Sequence, residues 1–244
     1  MEKSAVAVEA RVEEFHWWFR GRRKLLSEMI QNLPVSLKSP VLDVGTSTGT
    51  NLRLLRGLGF GNFIGTDIHD DALAFCAEKG FGQVKKGDVC RLPFEDKMFK
   101  LVLATDILEH VENEALALTE INRVLSPEGY VVLTVPAFRF LWGIQDDVSH
   151  HKKRYTKREL ISAVEVAGLR CLESFYFNYI FFLPIFFARR TLKVLRIRLK
   201  SENQINCPLI NSFFTGVFSF DVRTSKRFKP PIGVSILVLA QKKG

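Results

Sequence analysis

The sequence predicts an α/β fold built on a doubly wound, mostly parallel sheet. Short apolar segments recur over residues 41–135 and alternate with segments of helical periodicity, which is the order typical of βαβ units. Several of the apolar segments end in an aspartate, and a glycine-bracketed turn follows the first of them. A chain of 244 residues with 47% hydrophobic residues is long enough for one such domain with additions.

The first strand is predicted at Val41–Val44, and the loop Gly45–Gly49 follows it. The branched apolar residues suit a buried parallel strand, and the glycines let the backbone approach a ligand with its N–H groups free. A helix begins near Asn51, so the loop lies at a helix N-terminus, where the peptide dipole favours a negative group. The loop alone leaves open a tight βα turn without a ligand.

The next two strands also end in acids. The second strand, over residues 62–67, ends in Asp67, 18 residues beyond Gly49, where a carboxylate accepts both hydroxyls of a ribose in doubly wound sheets. A helix over residues 70–77 leads to the third strand, over residues 83–88. Its terminal Asp88 suits the exocyclic amine of an adenine with Val89 beside the ring, and a simple turn role remains open.

A fourth strand is predicted over residues 100–105, followed by Asp106, Glu109 and His110. If a helical turn begins there, the spacing i, i+3, i+4 places these three side chains on one face. Such a trio serves a proton-handling site or a divalent-ion site, or it caps the strand and lines a pocket. A helix over residues 114–125, a turn over 126–129 and a fifth strand over 130–135, stopped by Pro136, complete this part.

Together these segments resemble the class I S-adenosylmethionine-dependent methyltransferases, in the small-molecule, type 11-like branch that includes quinone-biosynthesis enzymes. The resemblance covers residues 40–170 and the last strand. It rests on the order of the elements and on these residues: Val41–Gly49, Asp67, Gly87-Asp88, Leu92-Pro93-Phe94, Asp106–Val111 and Leu125–Pro136. It implies a Rossmann-like sheet of seven strands with an antiparallel last strand, and S-adenosylmethionine as the cofactor.

The resemblance also implies a set of cofactor-binding residues: Asp43, Gly45, Thr46, Ser47, Gly49, Asp67, Ile68, Asp88, Val89, Thr105 and Asp106. In this set the loop residues frame the methionine end, Asp67 binds the ribose, and Asp88 with Val89 binds the adenine. Ser47 stands where the family usually has a glycine. Serine is small, so we expect cofactor binding to survive. No metal is expected as part of the site.

The segment from Trp142 to Tyr155 is the predicted substrate region. Thr156 and Glu159 form a capping box, so a helix begins there and the preceding histidines fall on a loop above the carboxyl edge of the sheet. The candidates for a catalytic base are His150, His151 and His110. The candidate substrate contacts are Arg154, Tyr155 and Trp142, because similar methyltransferases with a His-x-x-x-Arg-Tyr-Thr stretch make substrate or cofactor contacts there. A solvated basic loop is the alternative.

The N-terminal segment is predicted to be helical over residues 4–32. It contains aromatic residues and arginines between Phe15 and Arg23, a composition suited to a lid over a ligand with an arginine as carboxylate partner. The alternative is a helix that docks its aromatic residues on the sheet. The predicted organisation is an N-terminal helical lid (1–39), a methyltransferase domain (40–177 with 230–244) and a helical insertion (178–229).

The insertion differs from the rest of the chain in charge and in aromatic content. Residues 1–150 contain 17 basic and 21 acidic residues, a net charge of −4, whereas residues 151–244 contain 18 and 5, a net charge of +13. Eleven of the 21 phenylalanines lie between Phe175 and Phe228. The apolar run 179–188 is interrupted by Pro184 and is too short to cross a bilayer, which takes about 20 residues.

Helical periodicity separates the insertion into apolar and cationic stripes. Ile185, Ala188, Leu192, Leu195 and Leu199 form the apolar stripe, and Arg189, Lys193, Arg196 and Lys200 form the adjoining cationic one. A second apolar helix follows Pro208. This pattern is typical of a helix lying in a membrane interface, with its cations among anionic headgroups. Packing on the protein's own domain or on a dimer partner is the alternative.

The sequence therefore predicts a methyltransferase of a lipid, prenylated quinone or lipid-linked glycan, peripheral on the inner face of the cytoplasmic membrane. Four dispersed cysteines and an N-terminus with glutamates favour an intracellular protein. A non-catalytic scaffold of the same fold stays open. Nucleic acid is disfavoured because the aromatic residues are clustered in runs, and a dinucleotide-dependent oxidoreductase would need a third glycine shortly after Gly49.

Overall fold

Seven strands form one sheet in the order β3-β2-β1-β4-β5-β7-β6, and β7 runs antiparallel to both of its neighbours. The computed structural model describes residues 12–195 and 208–243. The strands are β1 Val41–Val44, β2 Phe63–Asp67, β3 Val84–Lys86, β4 Phe99–Thr105, β5 Leu125–Pro136, β6 Leu169–Phe177 and β7 Ser235–Lys242. The predicted fold class is confirmed, including the antiparallel last strand.

Eight α-helices connect or cover the strands in the described residues: α1 Trp17–Gln31, α2 Thr50–Gly57, α3 Asp70–Glu78, α4 Glu114–Val124, α5 Ile144–Val148, α6 Lys157–Val166, α7 Phe182–Val194 and α8 Pro208–Phe228. Two short 3-10 helices span Leu108–His110 and Arg139–Leu141. Thr156 caps α6 together with Glu159, as the capping box predicts. None of the helices within these ranges is long and apolar enough to cross a membrane.

Two segments differ from the sequence-based prediction. The predicted N-terminal helix is interrupted: Val12 is helical, residues 13–15 form a turn, and α1 begins at Trp17, where the ring of the extended His16 accepts the Trp18 N–H as a helix cap. Residues 4–11 of the predicted helix lie outside the described part of the chain. The turn predicted over residues 126–129 lies inside β5, where Leu125 pairs with Phe99 before the register shifts.

The sheet separates two hydrophobic cores. Successive strand residues point to opposite faces, so Leu42 and Val102 belong to one core and Val41 and Leu101 to the other. Helices α4 and α6 cover the first face. Helices α1 and α8 cover the second, where the Phe218 ring stacks on Trp18 at a centroid distance of 5.3 Å. The N-terminal helix and the second helix of the insertion therefore form one layer.

Asp221 fixes α8 to the turn that leads into α7. Its buried carboxylate accepts the backbone N–H groups of Asn178 at 2.7 Å and Ile180 at 2.9 Å. At the other end of α8, Asn211 bonds to the backbone of Phe15 and Trp17. These bonds hold α1, α7 and α8 together above the carboxyl edge of the sheet.

The contact of α1 with α8 depends on Gly21. A Cβ at Gly21 would lie 2.0 Å from Cδ1 of Phe218, so Gly21→Ala must displace the ring. We expect the free energy of unfolding, measured with urea, to fall by about 1–3 kcal/mol. Gly216→Ala is the matched control, because its Cβ would meet no atom within 4 Å. That variant should gain about 0.5–1 kcal/mol. Equal destabilisation of both variants would contradict the close contact of the two helices.

Candidate active site

A cavity of about 1240 Å³ lies at the carboxyl ends of β1, β2, β4 and β5. Its floor is formed by the loops that follow these strands, and α1 and α7 form the walls above the sheet. Ligand pockets usually measure about 300–1,000 Å³, so this cavity is large enough for a cofactor and part of a second molecule.

The loop after β1 has a left-handed backbone at three positions: Gly45 (φ 71°), Ser47 (φ 45°) and Gly49 (φ 80°). Glycine adopts this conformation freely, whereas a residue with a Cβ loses roughly 1–2 kcal/mol. Ser47 is compensated by its N–H, which donates to Oδ2 of Asp67 at 2.9 Å. This bond joins the loop after β1 to the end of β2.

Asp43 lies beneath the loop and is fully buried. Its Oδ1 accepts from Nδ2 of Asn51 at 2.8 Å, and the same nitrogen lies 2.9 Å from Oγ1 of Thr105. Its Oδ2 has no hydrogen-bond partner within residues 12–195 and 208–243. Burial raises the pKa of Asp43 to about 6. Asp43 does not line the cavity, so its carboxylate acts on the loop and on Asn51 from beneath.

Arg22 brings a positive charge from α1 to the same end of the cavity. Its Nη2 donates to Oγ1 of Thr105 at 2.5 Å and lies 3.2 Å from Oδ2 of Asp106. The set of predicted site residues did not include Arg22. The available signal was the cluster of aromatic residues and arginines between Phe15 and Arg23, which indicated a lid but not which arginine reaches the cavity.

Glu13 holds the loop from its outer side and was also missed. Its carboxylate is buried and accepts from the hydroxyls of Thr48 and Thr50 and from Nζ of Lys79. Glu13 lies in a segment predicted to be plain helix, so no sequence pattern distinguished it from the other glutamates. The N-terminal segment therefore supports the loop from behind as well as covering the cavity.

Asp67 ends β2, whereas β3 ends at Lys86 and the predicted terminal acid Asp88 lies two residues beyond it. Asp67 accepts the N–H groups of Ser47 and His69, and it lines the cavity together with Ile68. Asp88 and Val89 line the cavity beyond them, next to the end of β3. The sheet thus brings the predicted ribose and adenine residues to one side of the loop.

A cluster of Glu109, His110 and His151 forms the polar wall of the cavity. The two imidazole rings meet edge to face at a centroid distance of 4.7 Å. Burial lowers the pKa of His110 to about 4, so its ring is neutral at pH 7. Nδ1 of His151 lies 2.8 Å from Oδ1 of the buried Asp146. Asp106 also lines the cavity, although the 3-10 turn begins only after it.

The remaining predicted site residues lie in different environments. His150 is exposed at the cavity mouth, with a left-handed backbone. Arg154 reaches the cavity wall, but its guanidinium donates to Asp146 and to the carbonyl of Ala137. Tyr155 is buried in the core with its hydroxyl on the Leu108 carbonyl, and the indole N–H of Trp142 donates to Asp147. Tyr155 and Trp142 do not line this cavity, so the structure places these two predicted substrate contacts elsewhere.

Helix α7 supplies an apolar wall opposite the polar one. Ile185, Ala188 and Leu192 of the predicted apolar stripe line the cavity, whereas Leu195 is exposed and Leu199 lies outside the described residues. The predicted cationic stripe needs a correction. Arg189 turns towards the protein, where it donates to the Leu141 carbonyl and lies 3.8 Å from Asp146. Arg196 and Lys200 fall outside the described residues.

Comparison with known sequences agrees with this geometry. Residues 42–133 match a family model described as a methyltransferase domain. The demethylmenaquinone methyltransferase of Staphylococcus aureus is 32% identical over 138 residues, which is 52% of this chain and 57% of that protein. An uncharacterized protein of Methanocaldococcus jannaschii is 32% identical over 151 residues, 60% of each chain. The chain thus spans about 60% of the length of these relatives.

The fold is shared with solved methyltransferases. A geranyl diphosphate methyltransferase in complex with S-adenosylmethionine superposes with a TM-score of 0.60 at 13% identity, covering 91% of this chain and 85% of that one. At this identity the likeness concerns the fold.

The buried carboxyl of Asp43 gives the free energy of unfolding a pH dependence. Its pKa is about 4 in an unfolded chain and about 6 in the fold. Its contribution to stability is therefore fully present below about pH 4 and is lost as the pH rises through about 6. In Asp43→Asn this loss is absent. The difference in the free energy of unfolding, Asp43→Asn minus wild type, should therefore rise by up to roughly 3 kcal/mol between pH 4 and pH 7.5.

Urea unfolding at both pH values measures this change. The exposed Glu78→Gln is the control, for which the difference from the wild type should stay constant with pH. A constant difference for Asp43→Asn as well would show that Asp43 does not titrate in a buried site.

The strand order, the glycine loop and the family match support the same conclusion. The match confirms the predicted resemblance, and with it S-adenosylmethionine as the cofactor of this family. Residues 42–133 therefore match a methyltransferase domain, and the described residues share the fold of solved methyltransferases.

Proposed function

We propose that the protein methylates an amphiphilic substrate, such as a lipid, a prenylated quinone or a lipid-linked glycan, at a membrane surface. The observation that carries this proposal is the single cavity that joins the glycine loop to the apolar wall of α7. A reacting group at the polar wall and an apolar chain along α7 would then occupy one space. Only a substrate that has both a polar reacting group and an apolar chain would contact both walls.

The cofactor end of the cavity fits the charges of S-adenosylmethionine. The Arg22 guanidinium lines the cavity and suits the carboxylate of the methionine moiety, whereas Asp43 supports the loop from beneath. Asp67 would hold the ribose, and Asp88 with Val89 the adenine. When bound, the cofactor supplies an electrophilic methyl group on a sulfonium ion.

The protein's own residues would align the acceptor, exclude water and manage a proton. Aromatic side chains from three distant segments cover the cavity, with the Trp17 ring 5.0 Å from Phe181 and the Phe181 ring 5.1 Å from Phe214. The neutral His110 and the neighbouring His151 lie on the polar wall, where an acceptor hydroxyl would lose its proton. Proton transfer of this kind typically contributes about 10²–10⁴-fold to a rate.

The substrate class is inferred from the apolar wall and from one relative. Pro184, Ile185, Ala188 and Leu192 present aliphatic surface to the cavity over two turns of α7. The Staphylococcus aureus relative bears the name demethylmenaquinone methyltransferase. A quinone with an apolar tail would satisfy both walls, and so would other lipids with a polar head.

The outer side of the insertion supports work at a membrane. Leu183, Phe187 and Val194 recur at helical spacing on α7 and are 57%, 62% and 73% exposed. Beside them, a cleft of about 170 Å³ is lined by the exposed cations Arg139, Arg190 and Lys193. Exposed apolar residues next to cations suit an interface of acyl chains and anionic headgroups. The same residues would also suit a dimer interface.

Calorimetric titration with S-adenosylmethionine tests the cofactor half of the proposal. We expect binding by the wild type and about 10- to 100-fold weaker binding by Asp67→Asn, because a charge-assisted hydrogen bond to the ribose is lost. Asp70→Asn is the matched control, since Asp70 is exposed three residues further on. Absence of binding by the folded wild type at millimolar ligand would overturn the enzyme proposal. If the wild type binds the cofactor, turnover assays with polar-headed lipids distinguish an enzyme from a non-catalytic scaffold.

Sedimentation with anionic liposomes tests whether the protein binds a membrane surface. Each cation near an anionic surface contributes about 1 kcal/mol, so reversing Arg190 and Lys193 to Glu should weaken binding at least about 30-fold. The control reverses the exposed Lys38 and Lys97, which gives the same net charge change. Equal weakening in both variants would indicate a nonspecific charge effect. Lack of liposome binding, together with a dimer in light scattering that Phe187→Ser dissociates, would favour the dimer interface.

A further inference from the structure

We infer that Glu109, His110 and His151 form a binding site for a divalent transition-metal ion. One possible ligand atom from each of the three side chains lies within 4.8 Å of the other two, and all three side chains line the cavity. Two imidazoles and one carboxylate are a donor set that suits zinc and its neighbours in the first transition series. Three protein ligands leave a fourth position open towards the cavity.

One oxygen of the Glu109 carboxylate is buried without a hydrogen-bond partner in the described part of the chain. This oxygen is Oε2, and the residue is 1% exposed. Burial raises the pKa of Glu109 well above its usual value. A buried carboxylate oxygen without a donor is unfavourable, and a cation bound to that oxygen would remove this cost.

Both histidines have the second partner that is usual for metal-binding imidazoles. Such a ring commonly makes its other hydrogen bond to a carboxylate or a backbone carbonyl, which fixes its orientation. Nδ1 of His151 lies 2.8 Å from Asp146, whose carboxylate is held by Nε of Arg154 at the same distance. The His110 ring hydrogen-bonds to the backbone of Ser149.

The backbone holds the three residues close together before a metal binds. Glu109 and His110 are adjacent in the 3-10 turn after β4. The Lys152 N–H donates to the Glu109 carbonyl at 2.6 Å, which fixes the segment that carries His151. Bonds of about 2.1 Å at tetrahedral angles require ligand atoms about 3.4 Å apart. Small side-chain rotations therefore complete the site.

The metal gives the polar wall a specific chemistry, and this step rests on the proposed methyltransferase function. An acceptor hydroxyl in the fourth position would release its proton to water at the cavity mouth, because a metal lowers the pKa of a bound oxygen strongly. His110 and His151 would then act as metal ligands and not as the base. The oxygen's electron pair then forms the C–O bond to the methyl carbon. The C–S bond breaks, and its electron pair stays on sulfur. The inferred acceptor is therefore a hydroxyl or phenol group.

Calorimetric titration of the metal-stripped full chain with ZnCl₂ tests the site itself. We expect about one ion per chain, and at least about 100-fold weaker binding by the double variant His110→Ala/His151→Ala. Asp146→Asn should weaken binding by about 10- to 100-fold, because it removes the partner of His151. His150→Ala is the matched control: it removes the adjacent exposed imidazole and should bind like the wild type.

Substitution by Co²⁺ provides a readout that does not need the variants to fold. A protein-bound four-coordinate cobalt ion gives strong visible d–d absorption, which should appear with the wild type and with His150→Ala. Absence of binding of both Zn²⁺ and Co²⁺ to the folded wild type would overturn the site. So would binding that persists in the folded double variant. Titration with S-adenosylmethionine in the same samples reports the cofactor site separately, so that a failed metal site leaves the methyltransferase proposal intact.

Discussion

The buried carboxylate of Asp146 determines how the substrate half of the cavity is assembled. It accepts the Gly143 N–H at 2.7 Å, pairs with His151 and Arg154, and lies 3.8 Å from Arg189 of α7. Burial acts to raise its pKa, but the bonds from His151 and Arg154 outweigh burial and hold the pKa well below its usual value. Breaking a buried pair of this kind costs about 3–5 kcal/mol, because the remaining partner is left as an uncompensated charge. Asp146 therefore joins the histidine segment to the first insertion helix.

The two ends of the cavity depend on different kinds of constraint. At the cofactor end, the parallel strands place Asp43 and Asp67 at one edge, and short bonds such as that from Ser47 to Asp67 close the loop. At the substrate end, the walls come from segments far apart in the chain, and Trp17, Phe181 and Phe214 meet only because α1 packs on α8. Substitutions in α7 and α8 can therefore change this wall of the cavity without disturbing the loop after β1.

This difference explains what the sequence could and could not predict. Acids at strand ends were predictable because the carboxyl ends of parallel strands meet at the same edge. The position of Arg22 was not, because it depends on where α1 docks. Periodicity identified the apolar stripe of α7, but it cannot say whether lipid or the protein's own cavity covers that stripe. The sequence also could not predict that the Arg189 side chain points into the protein, because its partners, Leu141 and Asp146, lie more than 40 residues away in the chain.

The opposed walls limit the ways in which a substrate can lie in the cavity. Glu109, His110 and His151 present polar atoms on one side, and Ile185, Ala188 and Leu192 present aliphatic surface on another. A polar group placed against α7 would lose its hydrogen bonds to water without replacement, a cost of about 1–3 kcal/mol for each group. A tail placed against the polar wall would leave the carboxylate of Glu109 without a partner. An amphiphilic molecule therefore satisfies both walls in one orientation, with its polar end at the histidines.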